Sequence, residues 1–257
     1  MKKLTILLTS MLMALTLGAC SSNGGTDTPK DDGNKDTPSE TGGKLVVYSP
    51  NSEGLINATI PLFEEKYNIK IIGICPEQTN PKPNNMAAKD REMQKRVLAY
   101  FKNAVDVACK VEANQVVVTS GWGFLNEQRE EVYKRSVQML RKVSDYAFEK
   151  NMTLAIEALQ PDESMLVHTA EEMKQLIDDV DSPALKVCID TGAMVRAKDT
   201  IDDYFKIFGD RIVHAHFVDV DEDHFTTHLA WGDGTRNMKE ELEAFRRNGY
   251  KGILSVE

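Results

Sequence analysis

The sequence predicts an α/β fold, an incomplete (β/α) barrel of about seven strands. Three observations point there. Short apolar runs alternate with amphipathic stretches of helical period from residue 45 onward. No GxGxxG turn or GxxxxGK[ST] loop follows any run, which removes the best support for the competing architecture, an open doubly wound nucleotide-binding sheet. Four of the runs finish in a side chain able to ligate a metal, at the strand end where parallel α/β folds place their sites.

In chain order, the expected strands are residues 45–48, 69–74, 116–120, 154–157, 187–190, 213–217 and 253–257. Each is a short apolar run, too brief for a buried helix. Between them, amphipathic helices are expected at about 53–66, 90–112, 127–150, 170–179, 201–208 and 238–247. Helices alternating with strands call for parallel pairing through crossovers. Connections are short except the loop carrying "PEQTNPKPNN" and the stretch 219–236, and both would lie beyond strand C-terminal ends.

The length of 257 residues allows one large α/β domain or two small ones. A formal net charge of −9, with no basic stripe or zinc-finger spacing, argues against nucleic acid or an anionic membrane surface as a partner of the folded body. The four cysteines, Cys20, Cys75, Cys109 and Cys188, show no CxxC pairing. Three lie in apolar runs and are expected as buried reduced thiols, not as a zinc ribbon or disulfide framework.

The strands "TLAIE", "LKVCID", "IVHAH" and "GILSVE" end in Glu157, Asp190, His216 and Glu257. An acid after a buried strand is, taken singly, a helix N-cap or a solvated loop residue. Four together say more. Because strand side chains alternate, Ala155 shares a face with Glu157, Cys188 with Asp190, His214 with His216 and Ser255 with Glu257. If those faces line a barrel, three carboxylates and an imidazole converge at its mouth, where like charges repel unless a cation holds them. The donor set is hard and oxygen-rich, suited to Mn²⁺, Mg²⁺ or a similar divalent ion. His214, one layer deeper, is expected to pack or to support its neighbours, Asp219 to orient a neighbour, and Asp221, Glu222 and Asp223 to be solvated.

With these stretches in view, residues from about 69 to 257 resemble the xylose-isomerase-like TIM barrels of sugar isomerases and epimerases, nearest to the fructoselysine and ketose 3-epimerases. "IIGICPEQTN", "IEALQPDES", "CIDTGAM", "HAHFVDVD", "THLAWGDG" and "GYKGILSVE" carry the likeness. It implies that Glu157, Asp190, His216 and Glu257 hold a divalent metal. It also makes Glu157 and Glu257 the acid/base pair on opposite faces of a bound sugar. Chemically, a proton leaves carbon beside a carbonyl, an enediolate forms, and the proton returns from the other side. His228 in "THLAWGDG" matches a loop position facing substrate or its surroundings. Glu77 and Trp122 follow strands at the same mouth; Glu77 is a candidate for a sugar hydroxyl and Trp122 for an apolar wall, against loop cap and helix packing as the bland alternatives.

Two positions depart from the ketose epimerases: Ala193 stands where some carry a histidine three residues after the ligand aspartate, and Glu222 where some carry an arginine six after the ligand histidine. Both argue against a simple free-ketose 3-epimerase and are tolerable for a fructosamine substrate such as fructoselysine, so the expected substrate is a ketose or a fructosamine. The resemblance also implies a small-molecule sugar partner and a homo-oligomer.

The first residues read differently. Lys2 and Lys3, the apolar run 4–17 and "LGAC" resemble a bacterial lipoprotein signal whose lipobox makes Cys20 the lipidated residue. Residues 21–43 contain no large apolar side chain and are expected to be a disordered tether. Residues 44–68 resemble the first strand and helix of an iron-type solute-binding lipoprotein of an ABC importer. The expected organisation is therefore signal 1–20, linker 21–43, β-α segment 44–68, and a barrel 69–257 truncated at both ends. That places the protein at the cell membrane, lipid-anchored and extracytoplasmic, or in the cytoplasm if the front half is a fusion or assembly artefact. The competing functions are an inactive truncated barrel or chimeric product, and a membrane-anchored solute-binding lipoprotein.

Overall fold

Parallel strands joined by helices must bury one strand face against the helices and turn the other elsewhere, and the computed structural model follows that rule. It describes residues 44–45, 66, 70–224 and 226–256. The strands are β1 (Lys44–Leu45), β2 (Lys70–Ile71), β3 (Gly73–Ile74), β4 (Gln115–Thr119), β5 (Thr153–Glu157), β6 (Leu185–Asp190), β7 (Ile212–His216), β8 (Asp219–Asp221), β9 (Thr226–Leu229) and β10 (Ile253–Ser255). The helices are α1 (Arg91–Lys110), α2 (Arg129–Glu149), α3 (Ala170–Val180), α4 (Thr191–Ala197), α5 (Ile201–Phe208) and α6 (Met238–Arg247). Six strands form one parallel sheet in the order β3-β4-β5-β6-β7-β10, curled into a half-barrel.

The expected strand 69–74 is divided at Ile72. Its first part, β2, pairs with β1, and its second part, β3, pairs with β4. The helices expected at 201–208 and 238–247 form with those bounds. Two features were not anticipated: the short helix α4, and the antiparallel hairpin β8–β9 inside the long 219–236 connection. The expected signal with Cys20, the tether 21–43, the helix 53–66 apart from residue 66, and Glu257 lie outside the described residues. Among those described, no helix is long and apolar enough to cross a membrane.

Alternation divides the strands as the chemistry requires. Val116, Val118, Leu154, Ile156, Val187, Ile189 and Ala215 join the helices in one apolar core. The residues between them turn to the inner face. One irregularity sits in β7: Val187 pairs with Ile212, but Cys188 already pairs with His214, so Val213 is an extra residue. Ile212 belongs to the apolar core, whereas His214 and His216, beyond the bulge, do not.

The helices begin on side-chain caps. Asp90 accepts from the N–H groups of Glu92 and Met93 at the start of α1. Thr169 with Glu172, and Thr200 with Asp203, form capping boxes at α3 and α5. On α1, Val97, Phe101, Ala104 and Ala108 make the buried stripe. Cys109 sits beside it near the helix end and is exposed, while Cys75 is half-buried and Cys188 buried. The expectation of uniformly buried thiols is thus corrected: an apolar stretch of sequence includes the flank of a helix stripe as well as the stripe itself.

Phe101 is fully buried between α1 and the sheet core. Phe101→Ala is expected to cost about 3–5 kcal/mol in urea unfolding, at unchanged m-value.

Candidate active site

β5, β6 and β7 lie side by side, and each ends in one of the expected donors. Register sets Asp190 level with His216. His216 Nδ1 lies 2.7 Å from Glu157 Oε2 and 3.7 Å from Asp190 Oδ2. All three side chains are buried, and one ligand atom from each falls within a 4.8 Å cluster. Asp190 has a double role. Its Oδ1 accepts from the Ala193 N–H at 2.7 Å and caps α4, while Oδ2 faces His216. N-cap and cluster member, set against each other by the sequence, are both realised.

Two buried carboxylates at this distance need positive charge. Burial pulls the His216 imidazole down, but Cys188, Glu157 and Asp190 around it outweigh that and hold it well above the ordinary histidine value. Burial pushes Asp190 up, and His216 outweighs that, so its carboxyl is held low. Imidazolium therefore balances the carboxylates in the metal-free protein. Two carboxylates and one imidazole are also a fitting donor set for a hard divalent cation, which would take over that role. One layer deeper, burial and then His216 lower His214 to about 3, so it is neutral. Its Nε2 lies 2.9 Å from Ser255 Oγ. Burial pushes the Cys188 thiol up to about 11.

A small cleft opens over the cluster, lined by Glu157, Asp190, Gln160, Glu163, Ala193 and His228. His228 belongs to β9, at an irregularity where Asp219 pairs with Leu229 and Asp221 with Thr226. Its φ of +61° is a left-handed conformation, and such a bulge re-aims the side chain it carries. His228 Nδ1 is 2.9 Å from Thr227 Oγ1, which accepts from Gln160 Nε2 at 3.1 Å.

Asp219 holds this hairpin. Fully buried, it accepts from the N–H groups of Gly232 (2.9 Å) and Gly234 (3.2 Å) through Oδ2 and of Val220 (2.8 Å) through Oδ1. A Cβ on Gly234 would run into the Asp219 carboxylate and the Val220 carbonyl. Arg236 then donates to the Thr191 carbonyl at 3.1 Å, tying the turn to α4. Glu222 and Asp223 are exposed, as a solvated loop requires.

Of the other expected site residues, Glu77 sits at the surface 3.3 Å from Lys82 and does not line the cleft. Trp122 is buried, and Asn85 pins its backbone by accepting from its N–H (2.9 Å) and donating to its carbonyl (2.7 Å). Trp122 lines a separate cavity of about 1170 Å³ with Met93, Phe124, Leu125 and Met165. Gly121 makes this approach possible: at φ +76°, a Cβ there would stand 2.5 Å from Asn85 Oδ1. Cys20 and Glu257 lie outside the described residues. Glu163 and Gln160 were missed, although Glu163 lines both the cleft and the larger cavity. Burial, then Asp190, raises its carboxyl. The run "QPDES" directly after a strand end was the available signal.

The chain matches the family model for xylose isomerase-like TIM barrels over residues 63–257. It is 28% identical over 216 residues to fructoselysine 3-epimerase from Shigella flexneri, covering 84% of this chain and 78% of that protein. A crystal structure of a D-tagatose 3-epimerase-like protein superposes with a TM-score of 0.69 at 20% identity, covering 83% and 80% of the two chains. A structure of an IOLI protein with a binding zinc atom gives a TM-score of 0.64 at 20% identity, covering 77% and 71%.

Asp219→Ala leaves three backbone donors without their acceptor and is expected to destabilise the protein by about 2–4 kcal/mol, while Asp219→Asn costs less; thermal unfolding of the two compares them. Because a cation must replace the imidazolium proton, Mn²⁺ binding is expected to release about one proton. Calorimetry in buffers of different ionisation enthalpy measures this, and equal heats in all buffers would contradict it.

Proposed function

We propose that this chain, which belongs to the xylose isomerase-like TIM barrel family, inverts the stereocentre beside a sugar carbonyl, on a ketose or on a fructosamine such as fructoselysine. The observation that carries the proposal is the convergence of buried Glu157, Asp190 and His216 at the ends of three adjacent parallel strands. The relative from Shigella flexneri, named for fructoselysine 3-epimerisation, supports the substrate class.

In this proposal Glu157, Asp190 and His216, with Glu257, would hold a divalent cation such as Mn²⁺ or Mg²⁺; the zinc atom bound in the IOLI structure, which shares the fold, supports a metal in this chain. When bound, the cation supplies Lewis-acid stabilisation of the negative charge that develops on the sugar oxygens. Glu157 takes the proton from the carbon beside the carbonyl. By the resemblance, Glu257 would deliver a proton to the opposite face, which would invert the centre. Asp190, fixed through its cap on α4, holds its second oxygen in place and does not move a proton. The 6% exposure of Glu157 limits competition from water.

Ala193 lines the cleft where some ketose epimerases carry a histidine, and His228 lines the same cleft from the hairpin. His228 accordingly binds a sugar hydroxyl in that space, and Glu163 borders the route by which a substituent on the sugar would leave it. Trp122 supplies an apolar wall farther out.

The test is incubation of the Mn²⁺-loaded full chain with fructoselysine and with free ketoses in D₂O. Deuterium at the inverted carbon and appearance of the epimer are expected, with Glu157→Gln slower by roughly 10²–10⁴-fold. A folded, metal-loaded protein that exchanges no deuterium into any of these sugars would overturn the proposal and favour an inactive barrel.

A further inference from the structure

Below the carboxylates, the inner face of the half-barrel carries a second group of donors. Cys188 and His214 are lateral neighbours in the β6–β7 register, one layer under the pair Asp190 and His216. One ligand atom from each of Cys188, His214 and His216 lies within 4.8 Å of the others. All three residues are essentially excluded from solvent, at 1% exposure or less. His214 uses Nε2 toward Ser255 Oγ, and its Nδ1 is buried with no hydrogen-bond partner. The Cys188 sulfur makes a long 3.8 Å contact with the carbonyl of its own neighbour, Ile189. A buried nitrogen without a partner is costly, and a sulfur and two imidazoles around one point are what a thiophilic ion requires. The rings of His214 and His216 stand edge to face with centroids 5.3 Å apart, so they do not stack face to face across that point.

We propose that Cys188, His214 and His216 form a second cation site, selective for a borderline or soft divalent ion such as Zn²⁺, Co²⁺ or Cd²⁺, directly beneath the carboxylate site. The site goes beyond the epimerase proposal and does not depend on it. Binding forms metal–sulfur and metal–imidazole bonds as the Cys188 thiol proton and one proton of the His216 imidazolium pass to solvent, with no change of oxidation state. The two sites share His216. An ion in the lower one takes an imidazole from the upper one, so thiophilic ions oppose occupation of the carboxylate cluster. Entry runs through the cleft that Glu157 and Asp190 line.

The test uses the chelator-treated full chain titrated with Co²⁺, read by the near-ultraviolet thiolate-to-cobalt charge-transfer band. The band is expected in a Cys20→Ser, Cys75→Ser, Cys109→Ser variant, which keeps Cys188 alone, and to persist when Glu157→Gln and Asp190→Asn are added. It is expected to vanish with Cys188→Ser, and apparent affinity to fall at least tenfold with His214→Ala. Cys188→Ser differs by one atom, and retained Mn²⁺ binding shows that it folds. No band in the Cys188-only variant, or a band that survives Cys188→Ser in that background, overturns the proposal. Mn²⁺ binding without the cobalt band would reject this site and leave the epimerase proposal standing, whereas the cobalt band in a chain whose Mn²⁺-loaded form turns over no sugar would do the reverse.

Discussion

Two carboxylates held apart from water beside one imidazole are the constraint around which the rest of the molecule is arranged. Glu157 and Asp190 reach His216 at 2.7 and 3.7 Å in a site that admits little solvent. Their mutual repulsion is weakly screened there, and each must be positioned against it by something rigid. The sheet supplies that rigidity. The parallel register sets Asp190 level with His216 and Ile156 level with Val187, so the ends of three adjacent strands reach one cluster, and the helices fix the sheet from behind through a continuous apolar core. Asp190 is held further by its cap on α4, so one carboxylate both starts a helix and faces the cluster.

The loops around the mouth are fastened by buried polar side chains, each serving several backbone groups at once. Asp219 gathers three N–H groups of the hairpin connection. Asn85 holds both the N–H and the carbonyl of Trp122. Gln78 accepts from the Thr119 N–H at 2.8 Å and donates to the Val117 carbonyl at 3.1 Å, continuing the hydrogen bonding of β4 beyond the last residue of β3. Satisfied groups of this kind allow irregular backbone to sit against a buried site without orphaned donors. They also explain why the segments carrying His228 and Trp122 hold defined positions although neither is a regular crossover.

Much of this was legible in the sequence. The strand ends at Glu157, Asp190 and His216 follow from apolar runs of strand length, and α5 and α6 from helical periodicity; their caps, Thr200 and Asn237, are found in the structure. What escaped notice was short or local. Helix α4 spans Thr191–Ala197, too few residues to show a period, and it starts on a residue already assigned to chemistry. The β8–β9 hairpin is rich in acids and reads as solvated loop, since the buried status of Asp219 depends on glycines more than ten residues away. Glu163 reaches the cleft through a turn, where side-chain direction obeys no repeat. Cys109 looked buried because apolar neighbours mark a helix, not the side of it that faces inward.

The extra residue in β7 has a mechanical meaning. Without the bulge, Ile212, His214 and His216, spaced by twos in the sequence, would all share one face. With it, the strand changes sides at Val213: the first part is anchored in the apolar layer and the second in the layer of ionisable groups. The bulge thus acts as a clutch between two packing regimes. Repacking around Ile212, as sequences drift, can be absorbed at Val213 without rotating the imidazoles, so the outer core and the inner site are free to evolve at different rates along a single strand.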